Sequence, residues 1–278
     1  MPIMKNLYTI ITILSAQILF AQSPWTQEKG TFYTQLSFTT ISNYDEVFGD
    51  PNYQTEREIT DNTLQLYGEY GISNKTTLLV NLPIKLISTG DVVNGSSFIT
   101  EDSKTAFGNV SVGLRHQFYN KKWIISGQLN VEANTGSFEA SSGIRTGFDA
   151  WTFTPTVNFG RSFDKFYVQA FTGIDLRTND YSNNFKIGGE IGTKVHSKIW
   201  LIGFVDIVSS FNDGDVNLPF RNIGTALYVN NQEYGAFGLK AIGEINESFG
   251  GILTFGGAFS GNNVPKQAAL SIGLYKRL

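Results

Sequence analysis

After its first two dozen residues, the chain alternates apolar and polar side chains in short segments. In Thr76–Ser88 the apolar residues on one face are Leu78, Val80, Leu82, Ile84 and Leu86. A period of two predicts a β-strand with one apolar side. Many strands of about ten residues, each crossing a bilayer once, are typical of a transmembrane β-barrel. The pattern therefore predicts an all-β fold: an antiparallel up-and-down barrel of about twelve strands.

The alternation predicts strands at Gly30–Thr40, Ile59–Tyr70, Thr76–Ser88, Thr105–Phe118, Trp123–Asn134, Asp149–Phe159, Phe166–Arg177, Asn184–Val195, Ile199–Ser210, Gln232–Ile245, Phe249–Ser260 and Gln267–Arg277. Every second connection is tight and polar. The others are mostly longer, at Ile41–Glu58, Thr89–Lys104, Thr135–Phe148 and Phe211–Asn231. Outer-membrane barrels have short periplasmic turns and long outer loops. An even number of strands then places both ends of the mature chain in the periplasm.

The N-terminus has the layout of a secretory signal peptide. Lys5 precedes an apolar run, Leu7–Phe20, which is followed by Ala21 and Gln22. The run is too short for a membrane-spanning helix, which needs about twenty residues. We expect residues 1–22 to be cleaved and residues 23–278 to form the barrel.

The composition excludes several classes of protein. The 21 basic and 24 acidic residues leave a formal net charge of −3, so no basic surface for nucleic acid is expected. Cysteine is absent, which rules out disulfides and thiolate metal sites. The mean hydropathy of −0.10 agrees with a barrel, because lumen-facing polar residues offset lipid-facing apolar ones. We predict no cofactor and no metal site.

Two predicted strands, Ile199–Ser210 and Gln232–Ile245, have apolar residues on both faces. Their charged residues decide which face is turned to the lumen. An outward Asp206 would carry a carboxylate into lipid, and an outward Lys240 near mid-bilayer would cost about 2 to 4 kcal/mol. The charge-inward choice places Leu201, Val205 and Leu239 in lipid.

The strand positions that alternate with the lipid-facing ones point into the lumen, and their side chains are polar and of mixed charge. We predict a constriction that sets size and charge preference, lined by Lys85, Arg115, Glu132, Asp175, Lys186, Glu190, Asp206 and Lys240. Asp175 should lie almost opposite Lys186 and form a cross-strand ion pair. The alternative is that these charges pair with one another and fill a narrow barrel.

An apolar strip, Trp200, Ile202 and Phe204, is also expected inside the wall. It either packs against the N-terminal segment or an inward-folded loop, or it provides a path for an apolar or aromatic solute.

Catalytic groups are scarce. His116 and His196 are the only histidines, and His196 beside Ser197 lies in a tight turn on the predicted periplasmic side. A membrane-embedded hydrolase needs a serine and a histidine placed together near the outer boundary. The stretch Asn212–Asp215 lacks the alternating ligands of a calcium loop. We therefore predict that the protein is not an enzyme.

The segment Thr105–Phe118, TAFGNVSVGLRHQF, resembles a glycine-aspartate strand motif of the meta-pathway phenol-degradation family of outer-membrane transporters, with Asn109 in place of the acidic residue. The start of the mature chain, Trp25–Gly30, is similar to that of exported proteins from Bacteroidetes-type bacteria. The resemblance implies passage of hydrophobic or aromatic compounds across the outer membrane.

The sequence thus favours a passive outer-membrane channel for a small-molecule solute, in contact with outer-membrane lipid and inserted by the barrel-assembly machinery. A plugged structural or binding barrel, whose long loops contact a partner or surface polymer, is the second hypothesis, and a membrane-embedded hydrolase is the third. A soluble β-sandwich would have shorter strands of about five or six residues.

Overall fold

The structure, a computed structural model, describes residues 23–92 and 100–278. The predicted signal peptide lies outside the described residues. The strands are β1 (Phe32–Phe48), β2 (Tyr53–Ser73), β3 (Thr76–Thr89), β4 (Asp102–Phe107), β5 (Ser111–Asn120), β6 (Ile124–Glu132), β7 (Thr152–Ser162), β8 (Phe166–Arg177), β9 (Asn184–His196), β10 (Ile199–Ser210), β11 (Glu233–Glu244), β12 (Phe249–Asn262), β13 (Val264–Pro265) and β14 (Ala268–Arg277). One helical turn, α1 (Phe220–Ile223), lies between β10 and β11.

The sheet closes on itself. β1 pairs antiparallel with β2 on one side and with β14 on the other, so Gln35 is opposite both Tyr67 and Tyr275. β4 and β5 are the two halves of one wall strand, and β13 has only two residues, so the wall has twelve antiparallel strands. The predicted up-and-down barrel is confirmed. Because β1 pairs with β14, the wall has no free first or last strand, as a lipid environment requires.

The two ends of the barrel differ. At one end, which we call the turn end, strands are joined by short connections, such as the two residues between β2 and β3. Both β1 and β14 also meet here, where the Phe32 N–H donates to the Leu278 carbonyl at 2.8 Å. The opposite, loop end holds the longer connections 90–101, 133–151 and 211–232. Among the described residues, no helix is long and apolar enough to cross a membrane.

The predicted register of β10 and β11 is confirmed. Leu201 and Leu239 are exposed on the outer face, whereas Ile202 and Lys240 are buried inside. Ile202 and Lys240 are directly opposite each other in the ladder, so their side chains share the inner face. The outer face is therefore apolar at this position, as contact with lipid requires.

The prediction of an outer loop at Ile41–Glu58 is wrong. β1 continues to Phe48 and β2 begins at Tyr53, which leaves a four-residue turn. The register shifts between Ile41 and Tyr44, where Asn43 has a φ of 50°. This bulge interrupts the period of two, so the alternation is lost in the sequence although the pairing continues.

The predicted strand Thr105–Phe118 is interrupted at Gly108–Val110. On the neighbouring strand β3, Asn81 pairs with Ser111 and Ile84 pairs with Phe107. Between these pairs, the two β3 residues 82–83 lie opposite the three residues 108–110. One of those two is Pro83, which has no N–H to donate. The Gly108 N–H still donates to the Pro83 carbonyl at 2.9 Å, while the wall strand bulges at Asn109.

Candidate functional site

The lumen at the turn end is occupied by the segment Ser23–Gln27, which precedes β1 and which we call the N-terminal plug. Its Trp25 is only 7% exposed and packs in a buried cluster with Tyr167 and Ile202. The rings of Trp25 and Tyr167 meet edge to face, with centroids 5.7 Å apart. A Cβ at Gly160 would come within 3.0 Å of the indole and would collide with Pro24, so only glycine allows this close approach.

Polar groups of the wall hold the plug from several sides. The Arg115 guanidinium donates through Nη1 to the Trp25 carbonyl at 2.7 Å. The Gln27 amide donates to Glu69 Oε2 at 2.7 Å, and the Gln27 N–H donates to Thr77 Oγ1 at 2.8 Å. Arg115 and Glu69 also form a buried ion pair with a 3.3 Å separation. The plug is therefore attached by directional contacts to β2, β3 and β5 as well as by apolar packing.

The apolar strip divides between two surroundings. Ile202 is buried in the cluster around Trp25, and Trp200 packs against the same cluster. Trp200 also donates through its indole N–H to Glu244 Oε1 at 3.0 Å. Phe204 is half-buried and lies over Gly238 and Gly256, with the Lys240 ammonium 5.8 Å from its ring centre. Trp200 and Ile202 therefore pack against the N-terminal segment, which is one of the alternatives that the sequence left open for the strip.

An ion pair spans the lumen-facing side of the wall at Phe204. Lys240 Nζ lies 2.9 Å from Glu190 Oε2, and the Tyr167 hydroxyl donates to Glu190 Oε1 at 2.6 Å. Asp206, one inward position further toward the loop end, is only half-buried. These residues form a charged group midway along the wall.

The loop end is narrowed by connections that fold inward. The Tyr44 hydroxyl donates to the Thr225 carbonyl at 2.8 Å, and Leu227 packs in a buried cluster with Tyr44 and Ile59. Lys85 lies 2.6 Å from Asp61 and 5.5 Å from the centre of the Tyr228 ring. Segment 211–232 therefore reaches lumen-facing side chains of β1 and β3.

Connection 133–151 contributes a second cover at the same end. Arg57 donates to the carbonyls of Ser142 and Thr100. Arg145 donates to Asn222 Oδ1 at 3.0 Å, which joins this connection to segment 211–232. Asn109, from the interrupted wall strand, donates to the Phe148 carbonyl at 2.9 Å.

The residues predicted to line one constriction lie in separate groups. Arg115 belongs to the plug contacts, Glu190 and Lys240 to the middle group, and Lys85 to the loop-end group. Asp175 lies 3.4 Å from Lys186, as predicted, and 3.3 Å from Arg177, while Glu132 accepts from Asn109 at 3.1 Å. Their role in solute selection stays a prediction, but the structure does not bring all eight into one ring.

Both histidines are at the turn end, on β5 and at the end of β9. His116 Nδ1 is 2.9 Å from Thr76 Oγ1, and His196 Nδ1 is 3.4 Å from Ser197 Oγ on the exposed surface. In the part of the chain that the structure describes, no group of His, Asp and Glu could hold a metal ion. The sequence offered packing of the apolar strip against the N-terminal segment, but it did not single out Trp25, because periodicity assigns faces only within strands.

A family model described as "Putative MetA-pathway of phenol degradation" matches residues 39–271. The chain belongs to this family. The match includes the interrupted wall strand that carries the TAFGN sequence, and it confirms the resemblance found there. No curated protein matches the chain in sequence.

Solved structures show the same fold at low identity. An outer membrane channel from Pseudomonas putida F1 is 12% identical, with a TM-score of 0.70 over 94% of this chain and 100% of its own. The translocator domain of autotransporter NalP from Neisseria meningitidis is 12% identical, with a TM-score of 0.55 over 90% of both chains. The KdgM porin is 7% identical, with a TM-score of 0.51 over 87% of this chain and 98% of its own. The chain is an outer-membrane-type β-barrel.

Proposed function

We propose that this barrel is a passive outer-membrane channel for small solutes, closed at the turn end by the N-terminal plug. The proposal rests on one observation: at the turn end the lumen is filled by the segment Ser23–Gln27, which belongs to no strand. The plug is held by the hydrogen bonds from Arg115 to the Trp25 carbonyl and from Gln27 to Glu69, and it takes no part in the strand pairing of the wall. Because the plug can move out of the lumen without breaking any strand pairing, it is suited to act as a gate.

The orientation follows from the two ends. The turn end, with both termini, faces the periplasm, and the loop end faces the cell exterior. The predicted signal peptide and insertion by the barrel-assembly machinery fit an outer-membrane destination. The plug would then close the channel from the periplasmic side.

The family description names phenol, and the P. putida structure is named a channel. For this chain, a hydrophobic or aromatic solute is supported by the half-buried Phe204 and by Trp200 along one side of the lumen. The mixed charges of the middle group argue against strong selectivity for anions or cations.

Single-channel recording in planar bilayers tests the channel. Trp25→Ala removes the ring that fills the turn end, so we expect open events in KCl to become at least about tenfold more frequent, from the loss of roughly 1.4 kcal/mol or more of closed-state packing. Trp151→Ala, on the exposed outer face, should leave the current unchanged.

A plugged structural or binding barrel is the second candidate, because segments fill both ends of the lumen. It predicts no current from the wild type or from Trp25→Ala, and that result would reject the channel. A fluorescent-phospholipid hydrolysis assay on the same protein tests the third candidate, a membrane-embedded hydrolase.

A further inference from the structure

One stretch of the inner wall has buried polar side chains, several of whose atoms have no hydrogen-bond partner within the described part of the chain. Ser126 and Gln128 on β6 lie directly opposite Asn158 and Thr156 on β7, and all four face the lumen. We call these four residues the amide patch. Each is almost completely buried, with Ser126 and Asn158 at 0% exposure.

Five polar atoms of the amide patch have no hydrogen-bond partner among the described residues. They are Ser126 Oγ, Gln128 Nε2, Thr156 Oγ1 and both side-chain atoms of Asn158. A buried polar group without a partner has lost its hydrogen bonds to water and gained none in return, so each such atom destabilises the fold. A wall that only had to be stable would carry apolar or paired side chains here, so the concentration of such atoms on two adjacent strands points to a ligand.

The surroundings of the amide patch set the chemistry of that ligand. Arg115 donates through Nε to Gln128 Oε1 at 2.9 Å, but its charge is already balanced by Glu69. Phe171 on β8 is directly opposite Asn158, so an aromatic ring borders the patch. The site is therefore uncharged, has both donors and acceptors, and has an apolar edge.

The N-terminal plug covers the turn-end side of this patch. Gly160 is the next inward residue after Asn158 on β7, and the plug residues Pro24 and Trp25 lie against it. Arg115 contacts Gln128 and the Trp25 carbonyl together. Departure of the plug would thus uncover the patch on the path through the barrel.

We propose that Ser126, Gln128, Thr156 and Asn158 bind a small neutral polyhydroxylated solute, a sugar or polyol, during passage. This inference rests on the channel function proposed above. Hydroxyl groups donate and accept, so neighbouring hydroxyls satisfy an amide and a hydroxyl together. A hydrophobic solute of the kind supported by Phe204 and Trp200 would pass this patch without pairing its atoms, whereas a polyol would bind there during passage. A charged solute loses hydration without gaining an ion pair.

The test uses sorbitol as the probe in single-channel recordings of the full chain with Trp25→Ala. Sorbitol should interrupt the KCl current, and sodium glutamate of similar size should not. Adding Thr156→Val and Asn158→Leu, which nearly preserve shape, should shorten the interruptions about tenfold, because two to three hydrogen bonds are lost. The matched control is Thr254→Val, which removes an inward hydroxyl on β12, outside the patch; it should leave the interruptions unchanged.

The outcomes separate the two proposals. A KCl current without sorbitol interruptions, or interruptions that persist unchanged in the patch variant, overturns the patch and leaves the channel intact. If no current is seen at all, the channel fails, and calorimetric titration of sorbitol into Trp25→Ala protein in detergent then decides the patch. Heat that disappears in the patch variant supports the site, and absence of heat before substitution overturns it. If the double variant fails to fold in a gel-shift assay, Thr156→Val alone is used.

Discussion

Lys240 and Glu190 face each other inside the barrel with almost no contact with solvent. Their side chains are 1% and 7% exposed, and their charged atoms are 2.9 Å apart. Removing two charges from water is costly, and their attraction offsets that cost only while both are present. Such a pair constrains the local packing of β9, β10 and β11 more than it adds net stability.

Replacing Lys240 by Met should therefore lower the free energy of unfolding by about 3 to 5 kcal/mol, because Glu190 would stay buried without its counter-charge. Combining it with Glu190→Gln should recover most of the loss. Urea unfolding of the protein refolded into lipid vesicles measures both. Lys266→Met, which breaks the exposed pair with Glu46, is the control and should have little effect. Equal losses in the single and double variants would contradict this account.

Parity along a strand assigned Lys240 and Glu190 to the lumen, because a charge in lipid is too costly. The alternation could not predict their ion pair, because Glu190 lies on β9 and Lys240 on β11, with β10 between them. That partnership depends on how the barrel curves and staggers its strands. The amide patch was missed for a related reason: alternation marks Asn158 as inward but says nothing about its partners.

Segment 211–232 is fixed at the loop end by a carboxylate near its start. Asp213 accepts hydrogen bonds from the Asn183 N–H at 2.8 Å and the Asn183 side-chain amide at 2.7 Å, and from the Ser182 hydroxyl at 3.1 Å. The hydrogen bonds from Asn183 and Ser182 hold the pKa of Asp213 below its ordinary value of 3.8. The short β8–β9 connection thereby positions a segment that reaches the lumen.

This tether should depend on pH. Because the pKa of Asp213 is lowered in the folded state, the stabilisation is present above 3.8 and is lost as the pH falls through the lowered pKa. Hydrogen exchange of residues 211–219 should accelerate in that acid range. Asp213→Asn should give faster exchange already at pH 7, whereas Asp215→Asn should not. Unchanged exchange in Asp213→Asn would argue against the tether.

At the scale of elements, eleven of the twelve predicted wall strands were found without interruption at the positions that alternation indicated. The errors have local causes. The bulge near Asn43 hid the outer part of the first hairpin, and Pro83 on the neighbouring strand broke the strand that contains Asn109. Bulges and neighbour effects are properties of pairing, which one strand's sequence does not reveal.

For the whole molecule, the outward face of the wall is the surface that meets lipid. Leu239, near the middle of β11, is 69% exposed on this face. Leu239→Lys should cost about 2 to 4 kcal/mol at mid-bilayer, against about 0 to 1 for Ile245→Lys at the turn end. Unfolding in lipid vesicles measures both, and equal costs would show that the barrel sits at a different depth.

The attachment of the N-terminal plug to β1 has a kinetic consequence. About seven residues separate Trp25 from Phe32, so a displaced plug stays at an r.m.s. distance of roughly 15 Å from the start of β1. Its effective concentration there is in the millimolar range. Closing is then a first-order event that is independent of how much protein is present, and an added peptide of the same sequence would compete only near millimolar concentration.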